Sequence, residues 1–382
     1  MEKLPADIFF SILIRVPIKF IVRSKSVNKS WLSLISSSEF TTILKQNNPL
    51  STPLLHNTSS DRLIAFTNKR CLYSVKLDDT KLASKAEKFP FPPSLEKLGD
   101  TRIVASCNDL LLCTCGVNNQ YPSALVLLNP LTKVYHQINL ESCIGIKWYS
   151  TFGIGYDDLN DEYKVISMND WVPYKVYVYS LRDGYWKTKL FLGNSNQQSD
   201  LKFREGSGVL IPSLTTNGAA VVGCHLLHYI QEIPFKRRII CFDVCKEKWS
   251  EVPLPQLEDE RDRINDIGIL DGCLCFVKVD RVNQRVGVLW VMKEYGVKES
   301  WIPVISVPDI FPMMPIIAVS SGMKQMLMKL SFSENIFWYN LKHKTDTRAP
   351  VYDSQGRKLD ELNKVRLVTC CRRISPATFR LL

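Results

Sequence analysis

Apolar residues recur at Ile8, Phe9, Ile12, Leu13 and Val16, the i, i+1, i+4, i+5, i+8 spacing that lines one helical face. Pro5 falls in the first turn, where a missing N–H costs nothing. Pro17 ends the segment and opens a second helix with Ile18, Ile21 and Val22 inward. Asn28 is placed to cap a third helix bearing Trp31, Leu32, Leu34 and Ile35, and Ser37 or Ser38 a fourth with Phe40, Ile43 and Leu44. The pattern predicts a small all-α module over residues 1–48 and a linker over 49–60. So short a module buries little surface by itself and needs something to pack on. Periodicity alone is equally met by a helical cap on the larger domain.

Over residues 61–382 the pattern changes to short apolar runs separated by turn residues, which predicts an all-β domain. The runs repeat. Leu125–Asn129 leads to Tyr135, Val176–Ser180 to Trp186, Ile239–Asp243 to Trp249 and Leu289–Lys293 to Trp301. These aromatic residues stand 51, 63 and 52 positions apart, near the roughly 50-residue period of kelch propellers. Weaker copies at Cys71–Val75 and Ile336–Asn340 make six. Upstream of most copies lies a second hairpin, such as Ile103–Cys107 with Leu110–Cys113 about Asn108-Asp109, so each unit has four strands. The first unit lacks an inner strand and the end of the chain has a spare one, Val365–Cys370. The expected fold is thus a small all-α N-terminal module followed by an all-β propeller of six four-stranded blades, closed by the C-terminal strand.

Composition narrows the function. The 382 residues are 45% hydrophobic and 23% charged, with no long polar stretch, which predicts a folded chain. The opening MEKLPADIFF has no basic region leading into an apolar one, and every apolar run is too short to span a bilayer. A soluble protein of the cytoplasm and/or nucleus is expected. The net charge of +11 invites a nucleic-acid reading, but Lys and Arg are dispersed and the densest cluster is Lys236-Arg237-Arg238. No nucleic-acid and no membrane partner is expected; an acidic protein partner fits the charge. The twelve cysteines lack paired metal-ligand spacing, and Cys113/Cys115 and Cys273/Cys275 read as small apolar residues on strand faces. His225 and His228 are three apart in a strand and fall on opposite faces. No nucleophile elbow, zinc-protease motif or phosphate loop is present in the sequence. The sequence calls for no catalytic residue, no metal and no cofactor.

Longer motifs sharpen this. Leu4-Pro5-x-Asp7-Ile8, Ile12-Leu13, Arg15-x-Pro17, Lys19, Arg23, Lys25-x-Val27-x-Lys29-x-Trp31 and Leu34-Ile35 together closely resemble the F-box. That resemblance implies docking to a Skp-family adaptor, and through it to a cullin, by a surface that Leu4, Pro5, Ile8, Ile12, Leu13, Val16 and Pro17 lie on or support. It also implies that Val27 and Trp31 hold the module together. Phe20 and Ser24 depart from the commonest plant pattern, which has a small polar residue and an aromatic there. Downstream, Ser106-Cys107-Asn108-x-Leu110-Leu111, Leu128-Asn129-Pro130, Gly153-x-Gly155-Tyr156-Asp157 and Trp290–Trp301 look like the plant F-box-associated domain, a kelch-like propeller.

A plant F-box protein with a C-terminal F-box-associated domain implies a non-catalytic, substrate-recognising adaptor of an SCF-type E3 ubiquitin ligase. A scaffold or specificity factor acting without degradation is the alternative. Strand parity puts tight turns on one propeller face and long connections, such as 116–123, 169–175, 193–206 and 231–237, on the other. That second face is expected to bind an unidentified substrate protein through Trp171, Tyr174, Phe235 and Arg237. Ordinary propeller packing accounts for these side chains equally well.

Overall fold

The protein is known from a computed structural model, which describes residues 6–13, 24, 27, 29–35, 37, 62–68, 71–77, 85–89, 101–107, 110–118, 121–129, 134–138, 140, 150–169, 172–190, 209–211, 220–222, 225–233, 236–256, 263–270, 272–279, 286–308, 316–319, 325–329, 336–340, 342–343, 345–348, 351–352, 355–359 and 362–369. In the N-terminal part these form α1 (Ala6–Leu13) and α2 (Lys29–Ile35). Leu13 and Ile35 are buried and Trp31 is half-buried. Val27, expected inside, is 60% exposed. It stands in the turn before α2, where the Val27 N–H donates to the Ser24 carbonyl and the side chain is left outside. The other two expected helices fall outside the described residues.

The alternating runs of the remainder pair into six antiparallel sheets among the described residues. The first contains β1 (Arg62–Asn68), β2 (Cys71–Leu77) and the short β3 (Glu87–Lys88). The second runs in order through β4 (Thr101–Cys107), β5 (Leu110–Asn118), β6 (Tyr121–Leu128) and β7 (Tyr135–Ile138). In the third are β8 (Ser150–Asp157), β9 (Glu162–Asn169), β10 (Val172–Ser180) and β11 (Tyr185–Leu190). The fourth holds β12 (Val209–Ile211), β13 (Ala220–Val222), β14 (Leu226–Ile233), β15 (Lys236–Asp243) and β16 (Lys248–Glu251). Next come β17 (Arg263–Leu270), β18 (Cys273–Val279), β19 (Val286–Met292) and β20 (Trp301–Pro308) in the fifth. The sixth is built of β21 (Ile316–Val319), β22 (Gln325–Lys329), β23 (Ile336–Asn340) and β24 (Thr345–Arg348). Finally β25 (Leu362–Thr369) returns to pair with β1, with Ile64 opposite Leu367, and fills the inner position of the first sheet.

Successive sheets pack face to face as a β-propeller. Leu72 and Phe89 meet Leu111 and Val126 between the first and second sheets, and Leu112 and Leu127 meet Ile154 and Tyr163 between the second and third. Ile166 and Val178 meet Leu227 and Phe242 next, followed by Ile230 and Cys241 against Phe276 and Trp301. Packing sheet against sheet in this way removes the large apolar side chains of these clusters from water, the main favourable contribution to folding. Gly153 sets the closest approach: a Cβ there would lie 2.2 Å from Leu227 Cδ2 and 2.8 Å from Tyr229 Oη.

The polar residue that closes several of the repeated runs has a defined task. Asp243 Oδ1 accepts the N–H groups of Cys245 and Lys246, Asn340 Oδ1 those of Lys342 and His343, and Ser180 Oγ that of Asp183. Asp157 does the same for Leu159 and Asn160 at the end of β8. Such short side chains satisfy turn amides that no strand can reach.

Two expectations need correction. The inner position of the fourth sheet is shared by two strands, so this sheet has five strands rather than four. β13 covers only Leu226–His228 of the eight-residue β14, and β12 pairs with Ile230–Glu232 beyond it. Three of the connections expected to be long are mostly strand. Pairing continues to Asn118 opposite Tyr121, Asn169 opposite Val172 and Ile233 opposite Lys236. Val117, Tyr121, Val172 and Ile233 have strong strand preferences, and they prolong the ladders past the point where Gly, Asn and Pro suggested a break.

Candidate functional site

Two surfaces carry the residues expected to bind partners. On α1, Ile8 and Ile12 are four residues apart, on one helical face, and 47% and 49% exposed. Leu13 points the other way and is buried. The helix thus divides its apolar residues between an inner side and an outer stripe. Leu4, Pro5, Val16 and Pro17 lie outside the described residues.

On the propeller, antiparallel order puts the β5–β6, β9–β10 and β14–β15 connections on the same face, opposite the tight turns. Trp171 and Phe235 lie outside the described residues, next to the Asn169–Val172 and Ile233–Lys236 pairs. Tyr174 belongs to β10 at a register irregularity between Val172 and Val176. Arg237 is on β15 opposite Glu232, half-buried, and its Nη1 donates to the Ile264 carbonyl at 2.9 Å. This guanidinium therefore ties the fourth sheet to the fifth. Its neighbour Arg238 donates to Gln231 Oε1 and to Glu251 Oε2, both at 2.8 Å.

Asp157, which closes the Gly153-x-Gly155-Tyr156-Asp157 motif, belongs to an ion-pair group that the motif by itself does not reveal. Lys164 Nζ lies 2.6 Å from Asp157 Oδ2 and 3.0 Å from Glu247 Oε1, and Lys189 contacts the other Glu247 oxygen. Burial pushes Asp157 up, but hydrogen bonds from Asn160 and Lys164 outweigh it and hold the carboxyl below its ordinary value. Burial likewise raises Glu247, and the bonds from Lys189 and Lys164 bring it below normal. Lys164 is opposed by burial and ends above its ordinary value through Asp157 and Glu247. Charges fixed this firmly staple the third sheet to the fourth.

His228 lies on β14. It is fully buried, and its Nε2 lies 2.7 Å from the Tyr295 hydroxyl, reached from the β19–β20 connection. His225 is in the turn before β14, so the two histidines are not joint ligands. Burial pushes the Cys241 thiol up to about 12, and the Cys275 thiol is also raised by burial. Neither supplies a thiolate near neutral pH. Among the described residues no group of three or more His, Cys, Asp or Glu side chains is placed to hold a metal ion. No described helix is long and apolar enough to cross a membrane.

Known proteins account for this architecture. The F-box associated beta propeller domain matches residues 62–345, and the F-box domain matches residues 1–43. The chain belongs to the family of the F-box associated beta propeller domain. It is 28% identical to F-box protein CPR1 of Arabidopsis thaliana, covering 97% of this chain and 90% of that one. An F-box/kelch-repeat protein of the same plant is 25% identical over 89% of this chain and 88% of its own. Among solved structures, a chain of a nidogen/laminin complex aligns over 81% of this chain and 99% of its own, at 11% identity and a TM-score of 0.46.

Proposed function

We propose that this protein is the substrate-recognition adaptor of an SCF-type (Skp–cullin–F-box) E3 ubiquitin ligase, a non-catalytic subunit that brings a target protein to the ligase. The observation that carries the reading is the F-box match over residues 1–43 together with the exposed Ile8 and Ile12 stripe of α1. Two half-exposed isoleucines on one helix face are what an adaptor-binding surface requires, since burying them against a partner removes apolar area from water. Leu4, Pro5, Leu13, Val16 and Pro17 complete or support that surface, with residues 1–48 as the F-box, 49–60 as linker and 61–382 as the propeller. The six sheets act as its six blades, with β25 completing the first. Substrate is taken at the face of the β5–β6, β9–β10 and β14–β15 connections, where Trp171, Tyr174 and Phe235 are the large side chains and Arg237 braces the scaffold.

Co-purification of the full chain with a Skp-family adaptor and cullin tests this directly. The complex is expected from the parent and lost when Leu4 and Pro5 are both replaced by Ala. No complex with the parent, or an intact one with the double variant, defeats the proposal. For the substrate face, exchanging the three connections with those of a relative is expected to transfer partner choice.

A further inference from the structure

Among the described residues the outer strands of the sheets pair on one side only, and they differ in how the other edge is protected. β7, β16 and β24 have four residues each and β3 has two, too short to template another strand. β20 has eight, but Pro303 and Pro308 remove amides and a register shift follows Leu289 opposite it. β11 is different: six residues, Tyr-Trp-Lys-Thr-Lys-Leu, with no proline and unbroken register from Lys175–Leu190 to Ser180–Tyr185. Among the described residues it pairs on one side only.

We propose that β11 is a docking edge that receives an extended acidic segment of a partner protein as an added strand of the third sheet. The two faces of β11 define that segment. Tyr185, Lys187 and Lys189 share the face of Val176 and Val178, with side chains past the rim of the core toward the fourth sheet. Trp186, Thr188 and Leu190 share the face of Tyr177 and Tyr179, and Leu190 is 48% exposed beside Lys175. An incoming strand therefore meets two lysines on one face and an aromatic–aliphatic pair on the other. Acidic residues at alternate positions, with apolar residues between them, complement both faces, because directly opposite residues on paired strands interact as charge pairs and apolar pairs.

The lysines are prepared for this role. Lys187 is held 3.1 Å from Asp183 in an exposed pair, and Lys189 is held by Glu247. The Asp183 pair keeps Lys187 at the edge, and Glu247 shares Lys189 with the ion-pair group between the third and fourth sheets. An exposed pair such as Lys187–Asp183 gives up little when a new carboxylate arrives. A net charge of +11 favours approach of an acidic segment over long range. The proposal goes beyond the adaptor reading and stands or falls without a ligase present.

The test uses the full chain and a fluorescein-labelled peptide of four Glu-Val repeats, followed by anisotropy. Saturable binding is expected, about tenfold weaker for a peptide of the same composition with its four Glu grouped before its four Val. Lys187→Glu is expected to weaken binding by about tenfold and to favour a Lys-Val repeat peptide instead. A thermal melt matching the parent's shows that this variant is folded. A main-chain ladder engages only alternate amides of an added strand. Peptides N-methylated on one alternate set should therefore lose binding, and those methylated on the other set keep it. No binding of the alternating peptide, equal binding of the grouped one, or equal binding of the two methylated forms overturns the proposal.

Discussion

Lys164 on β9 donates to Glu247 in the β15–β16 turn across 3.0 Å, joining residues 83 positions apart. Asp157, whose side chain is fully buried, holds the same ammonium at 2.6 Å. Removing one member of such a group leaves an uncompensated buried charge, so Lys164→Met is expected to cost about 3 kcal/mol and lower the melting midpoint by roughly 3–5 °C. The pH dependence has a definite sign. The Asp157 and Glu247 carboxyls lie below their ordinary values of 3.8 and 4.5, so the native state binds fewer protons than the unfolded chain. Their stabilisation is present above those values and lost as the pH falls beneath them. Lys164 is raised above 10.5, and its contribution is complete below that value and lost as the pH rises through the folded one. Acid melts of parent and variant should converge at low pH; parallel curves would refute the assignment.

Gly153 faces Leu227 and Tyr229 with no space for a methyl group. Gly153→Ala should destabilise by about 1–3 kcal/mol, the usual cost of overpacking a filled core. Leu227→Ala in the same chain opens the space and should make the added methyl cheaper. Strictly additive losses in urea denaturation would show that the two positions do not meet.

Trp301 combines two contributions that substitution can separate. Its Nε1 donates to the Pro253 carbonyl at 2.8 Å, and its ring meets Phe276 edge-on at 4.8 Å. Trp301→Phe should cost about 1 kcal/mol for the hydrogen bond, and Trp301→Ala about 3–5 kcal/mol with the packing included. Equal losses in chemical denaturation would contradict this division.

The first sheet is completed by β25. Ending the chain at Glu361 removes the strand that pairs with Arg62–Asn68 and leaves an inner edge open. Open edges recruit other chains. The truncated protein is expected to lose its cooperative melt and to sediment as aggregates, whereas a monomer melting as the parent does would exclude the strand as the closing element.

By itself the sequence determined the local order of this protein. The Leu4–Trp31 motif marked the F-box, apolar alternation located most strands, and Asp243, Asn340 and Ser180 marked the ends of the repeated runs where side chains cap the turns. The spare C-terminal strand was legible because the first unit visibly lacked one. Period-two alternation tells which residues share a face. It does not tell which sheet that face will meet, nor how far a ladder continues past Gly, Asn or Pro. Tertiary structure alone decided that pairing continues to Asn169–Val172 and Ile233–Lys236, that Arg237 donates to the Ile264 carbonyl, and that His228 meets Tyr295. The reach of Lys164 to Glu247 was hidden for the same reason: the two are brought together only when the third and fourth sheets pack, and no local pattern records that distance.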